Sequence, residues 1–208
     1  ASLARDHFGK GAAVLAAWLS AFMPAHVTHS TWALADHDAF VMLFISIGFM
    51  YWLRAVKYAG SARLTKTTTP HPLSFVRAFH DVAEQRKAAM ANAALAGVAF
   101  GIVALGWKGF VVGPSILFLA YALQVALNMF RRRDSTVLSV MFLVMLTTTF
   151  LMALPFYAHP QLNLVFDSTG LQPFLFIFGF TIAIAYITTG FRDKPWLLVL
   201  GTLGSVAL

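Results

Sequence analysis

The sequence predicts an all-α fold, a polytopic transmembrane helical bundle of about seven spans. Two observations carry that prediction. The 208 residues are 59% hydrophobic and only 11% charged, with a mean hydropathy of +0.75, whereas roughly a quarter of the residues of a soluble domain are charged. The apolar residues also come in long runs separated by short breaks. A backbone in lipid must satisfy its own hydrogen bonds, so such runs are helices.

The spans are expected at Gly11–Met23, Ala39–Leu53, Ala88–Gly106, Gly109–Phe130, Val137–Tyr157, Leu171–Gly190 and Trp196–Leu208. The first two are short against the about 20 residues a crossing needs. The breaks are Pro24, Gly106 to Gly109, Arg131 to Asp134, His159-Pro160 and Phe191 to Pro195. The chain begins without Met and ends inside the last apolar run, so it reads as a piece cut from a longer protein, truncated at both ends. The absence of a leader peptide then carries no information.

Basic residues orient the spans. With the N-terminus cytoplasmic, the inner segments hold Arg5, Lys10, Arg54, Lys57, Arg63, Lys66, Arg77, Arg86, Lys87, Arg131, Arg132, Arg133, Arg192 and Lys194. Only Lys108 falls outside, and this asymmetry is the positive-inside pattern. The net charge of +7 is thereby explained as topology, and no nucleic-acid partner is needed. Outer loops are expected near 24–38, 107–108 and 158–170, and one sizeable inner loop at 57–87.

Within the inner loop, Leu73, Val76, Phe79 and Val82 recur at a spacing of three, opposite Arg77, Asp81, Glu84 and Arg86. The segment 72–87 is either an amphipathic helix lying at the inner interface or a solvated connector that starts the third span. The glycines and prolines scatter through the spans without paired interruptions, which disfavours a secondary transporter.

Cysteine is absent, which excludes disulfides, thiolate metal sites and a Cys nucleophile within these residues. No glycine-rich phosphate loop, nucleophile elbow or zinc-protease motif is present. Of the eight acidic residues, Asp6, Asp81, Glu84, Asp134 and Asp193 lie among inner basic residues and are read as solvated pairing. Asp36, Asp38 and Asp167 lie outside.

Asp36 and Asp38 are two residues apart, so in an extended segment their carboxylates face one way, whereas on a helix they diverge by about 200°. Two hard carboxylates sharing one cation favour Mg²⁺ or Mn²⁺, ions that neutralise phosphate leaving groups. Alternatively, Asp36 or Asp38 caps the helix opened by Ala39; the two roles are compatible. His26, His29 and His37 crowd the same loop. They are either solvated or substrate contacts, with His29 ranked above His37, which points away from the shared acidic face. At the next outer turn, Trp107 and Lys108 are either an interfacial anchor or a contact for a lipid phosphate. Thr147 to Thr149 are read as helix packing, and Asn92, Gln124 and Asn128 as interhelical or interfacial contacts.

The stretch from His26 to Phe40, HVTHSTWALADHDAF, resembles the second acidic motif of oligosaccharyltransferase catalytic subunits, especially the archaeal-type dolichyl-phosphooligosaccharide–protein glycotransferases. Tyr51-Trp52-Leu53-Arg54-Ala55-Val56 and the Gly106-Trp107-Lys108-Gly109 turn extend the resemblance over most of the chain, though only the acidic motif is specific. It implies the N-terminal membrane region of a GT-C glycosyltransferase, set in the cell (plasma) membrane with the motif on the extracytoplasmic face. Asp36 and Asp38 would then hold the metal that activates the diphosphate of a lipid-linked oligosaccharide. The glycan would pass to the asparagine of a sequon in an acceptor protein. An arginine carried by related enzymes is replaced here by His29, which would make a phosphate contact pH-dependent. Because the family's other acidic motifs and its sequon-reading domain are not in these residues, they are expected to be inactive alone. Two alternatives stay open: another polyprenyl-phosphate-dependent GT-C enzyme, and a cation transporter or channel.

Overall fold

The computed structural model describes residues 5, 8–22, 38–60, 72–131, 133–159, 165 and 171–190. Among them the chain is all-helical: α1 (Lys10–Phe22), α2 (Asp38–Ala59), α3 (Pro72–Gln85), α4 (Lys87–Gly106), a 3₁₀ turn (Lys108–Val111), α5 (Val112–Phe130), α6 (Thr136–Tyr157) and α7 (Gln172–Gly190). Four stretches are long and apolar enough to cross a membrane, Ala39–Ala59, Lys87–Gly106, Lys108–Phe130 and Thr136–Tyr157, and Gln172–Thr188 is a shorter apolar helix. The predicted seventh span, Trp196–Leu208, lies outside the described residues.

One sequence expectation needs correction, and one open reading is narrowed. The second span does not stop at Leu53 but continues to Ala59, carrying Arg54 and Lys57 on its last turns. A helix accepts cations there because they complement its C-terminal dipole and their long stems reach away from the apolar surface. Of the two readings left open for the segment 72–87, the helix is present: Pro72–Gln85 is helical, with proline at a first-turn position that needs no N–H. Arg86, with φ −128° and ψ 40°, hinges α3 to α4. The hydrogen bonds Arg86 N–H to Val82 O (2.9 Å) and Met90 N–H to Arg86 O (3.0 Å) carry the chain through that hinge.

Helix α4 is the centre of the bundle, and α2 and α6 pack along it. Its buried face is Ala89, Ala93, Gly97 and Gly101, small residues at a spacing of four. In lipid, helices associate through close packing and interhelical hydrogen bonds instead of through exclusion of water. A methyl group at Gly97 would collide with the backbone carbonyl of Met145 and lie 2.7 Å from Thr148 Cβ. The Thr149 hydroxyl, fully buried, bonds its own helix at Met145 O (2.9 Å) and crosses to Gly97 O (3.1 Å). Thr148 returns its hydroxyl to Val144 O at 2.9 Å, as expected of a packing threonine.

These contacts give the helix directions. Gly97 and Gly101 of α4 meet Thr148 and Met152 of α6, so the two run parallel. Phe40 and Gly48 of α2 meet Gly106 and Phe100 of α4, so those two run antiparallel. Helix α5, which joins α4 to α6 along the chain, runs back, and α7 runs against α6, with Phe150 and Phe178 rings 6.4 Å apart. One end of the bundle therefore holds Ala59, Lys87, Phe130 and Thr136; the other holds the first turn of α2, Trp107, Tyr157 and the start of α7.

The first of these ends is the basic one, with Arg54, Lys57, Arg86, Lys87, Arg131 and Arg133. Its polar groups are tied together. Asp134 Oδ1 accepts from the Thr136 amide (2.9 Å) and hydroxyl (2.6 Å), so this acid closes the mouth of α6 and is not simply solvated. Gln124 bonds Asn128 (3.0 Å) and Asn128 bonds Ser135 (3.2 Å). Asn92, in contrast, bonds only within its own helix, at Ala88 O (2.7 Å).

Candidate functional site

At the opposite end, the acidic motif runs directly into α2. Asp38 is the first residue of that helix, the position where the helix dipole favours a carboxylate. Asp36, His37 and His29 lie outside the described residues. The Trp107 and Lys108 turn is described in full and sits beside α2. A Cβ at Gly106 would stand 3.4 Å from the Phe40 ring, two residues beyond Asp38. The helix ends that adjoin the two segments singled out in the sequence thus lie side by side.

The turn itself is built by local geometry. Trp107 is extended (φ −149°, ψ 125°) and closes α4 by donating its N–H to Val103 O. Its own carbonyl accepts the Phe110 amide at 3.2 Å, which winds the chain into the 3₁₀ segment. Its indole lies over Gly109, where any side chain would run into the ring. The Trp107 ring is half-buried and Lys108 is exposed, an arrangement that suits an indole at the membrane interface and a cation reaching into water.

Beneath the turn is a cluster that sequence reasoning missed. Phe110 is fully buried, with its ring 5.6 Å from Tyr157 and 5.7 Å from Phe174. Tyr157 is fully buried as well, and its hydroxyl has no hydrogen-bond partner. The available signal was the placement of aromatic residues at the start or end of three consecutive apolar runs. Among the described residues, no group of three His, Cys, Asp or Glu side chains comes together. The described charges at this end are Asp38 and Lys108.

A helical bundle with four membrane-length helices, basic at one end and carrying an acidic residue at the mouth of a helix at the other, is a polytopic integral membrane protein. Residues 2–192 match the family model described as Oligosaccharyl transferase STT3, N-terminal, and the chain belongs to that family. Its members are the catalytic subunits of oligosaccharyltransferases, the membrane glycosyltransferases of N-glycosylation. The family implies a lipid-linked oligosaccharide donor and an acceptor protein, and its members use a divalent metal. No curated protein matches the chain, and no solved structure does. The family match displaces the transporter reading.

Proposed function

We propose that Asp36 and Asp38 hold a divalent cation, Mg²⁺ or Mn²⁺, at the outer mouth of α2, and that the donor diphosphate binds between this motif and the Trp107-Lys108 turn. The observation that supports the reading is the approach of the Phe40 ring to Gly106, where a Cβ would stand 3.4 Å away; it sets the first turn of α2, which the motif leads into, beside the Trp107 turn. The donor set suits the ion: two carboxylates two residues apart offer hard oxygens and no sulfur. When bound, such an ion supplies charge neutralisation for a departing diphosphate. Lys108 offers a second, mobile positive charge to a phosphate, and Trp107 seats beside the lipid chain. His29, and less directly His37, contact the donor with a charge that depends on pH.

In this reading the Trp107 end is extracytoplasmic, in the cell membrane, and the basic end is cytoplasmic, as the distribution of Lys and Arg supports. Helix α3, with its apolar and charged faces, then lies along the inner interface. The form of the acidic motif favours an archaeal-type enzyme using a dolichyl carrier.

Transfer of glycan to a sequon peptide in membranes containing the intact protein tests this. A polyprenyl diphosphate donor should support glycopeptide formation, and a polyprenyl monophosphate donor should not. Equal use of the monophosphate donor would point instead to a different GT-C chemistry.

A further inference from the structure

We propose that Arg86, at the hinge between α3 and α4, is a ligand for the headgroup phosphate of an anionic phospholipid.

Arg86 is only partly exposed, and its Nε is buried with no hydrogen-bond partner. A guanidinium is always charged, and a buried charged donor without an acceptor is costly. No described carboxylate relieves it. On the helix that leads into the hinge, Glu84 is exposed and its partner, at 3.5 Å, is His80 and not Arg86. At the mouth of α6, Asp134 Oδ1 is occupied by Thr136.

The surroundings add charge of one sign. Lys87 follows directly, and Arg131 and Arg133 stand at the same end of the bundle, all three exposed; none makes an ion pair with a described carboxylate. The missing counter-charge must be anionic, and a phosphate matches the forked donors of a guanidinium. Phe79, two turns before the hinge on α3, leaves 41% of its surface exposed, an apolar surface suited to acyl chains beside a headgroup. Basic recesses between membrane helices are recurrent sites for such headgroups.

Thermal unfolding of the purified protein in neutral detergent tests the assignment. Added phosphatidylglycerol should raise the midpoint by about 2–4 °C over phosphatidylcholine, and inorganic phosphate should leave it unchanged. Arg86→Gln should lose at least half of the rise, and His159→Gln, at the opposite end and exposed, should keep it. An equal effect of phosphatidylcholine, a full rise in Arg86→Gln, or a loss in His159→Gln would overturn the proposal. A rise reproduced by inorganic phosphate would assign a soluble anion and overturn the lipid. If Arg86→Gln does not fold, retention of the two lipids is compared by native mass spectrometry for the parent and Arg86→Lys. Preferential retention of phosphatidylglycerol that weakens in Arg86→Lys supports the site, and equal retention or an unweakened preference overturns it.

Discussion

At the basic end of the bundle, neutral polar groups and Asp134 are tied into the fold, while at the Trp107 end rings do the packing and a hydroxyl is left over. Asp134 closes α6, Asn128 bonds Ser135, and the Tyr121 hydroxyl meets Ser139 at 2.9 Å in the buried seam between α5 and α6. At the other end, Tyr157 is as buried as Tyr121, yet its hydroxyl has no partner. The difference separates two tasks. One end uses hydrogen bonds to hold helices in register; at the other, among the described residues, aromatic contact does so and the Tyr157 hydroxyl bonds nothing.

The comparison depends on a rigid seam between α4 and α6. Gly97→Leu should break it, since the side chain would have to displace the Met145 carbonyl and Thr148. The expected loss is at or above about 3 kcal/mol, read as a collapse of the unfolding midpoint in detergent. A stable Gly97→Leu protein would mean that the helices do not pack as described.

The two tyrosines sharpen the contrast as a matched pair. Tyr121→Phe strands Ser139 and should cost about 1–2 kcal/mol. Asp134→Ala removes the cap of α6 and should cost about 1 kcal/mol. Tyr157→Phe removes a hydroxyl that bonds nothing, so stability should be unchanged or rise by up to about 1 kcal/mol. A loss at Tyr157 as large as that at Tyr121 would erase the distinction between the ends. All three are measured by thermal or denaturant unfolding of the single variants.

The spans were legible because hydropathy reports the solvent of a segment directly. The predicted limits of α4, α6 and α7 lie within a residue of those observed. The end of α2 was misread at Arg54 because a hydropathy reading treats a cation as a boundary, whereas a helix end tolerates it. Pairing between helices was not legible. The glycines of α4 look scattered until Ala89, Ala93, Gly97 and Gly101 are seen to be buried at a spacing of four, with Gly97 and Gly101 against α6; the spacing alone does not say which helix it meets.

The site was half legible. Asp36 and Asp38 stand out by charge in an otherwise apolar stretch, and the Trp107-Lys108 turn by its break between spans. That the first turn of α2 lies beside the end of α4 comes only from the antiparallel packing of the two helices. The cluster of Phe110, Tyr157 and Phe174 joins residues far apart in sequence through ring contacts that no local pattern encodes.

The central claim is that the acidic motif at the mouth of α2 is the metal site of glycan transfer. Its most direct test is the rate of glycan transfer to a sequon peptide by the intact protein, for the parent and for Asp36→Ala, in chelator and after adding back Mg²⁺ or Mn²⁺. Chelation should stop transfer by the parent and added metal should restore it. Asp36→Ala should be slower by about 10²-fold or more and should not be restored. Full-rate transfer by the parent in chelator, or by Asp36→Ala with metal present, would contradict the account.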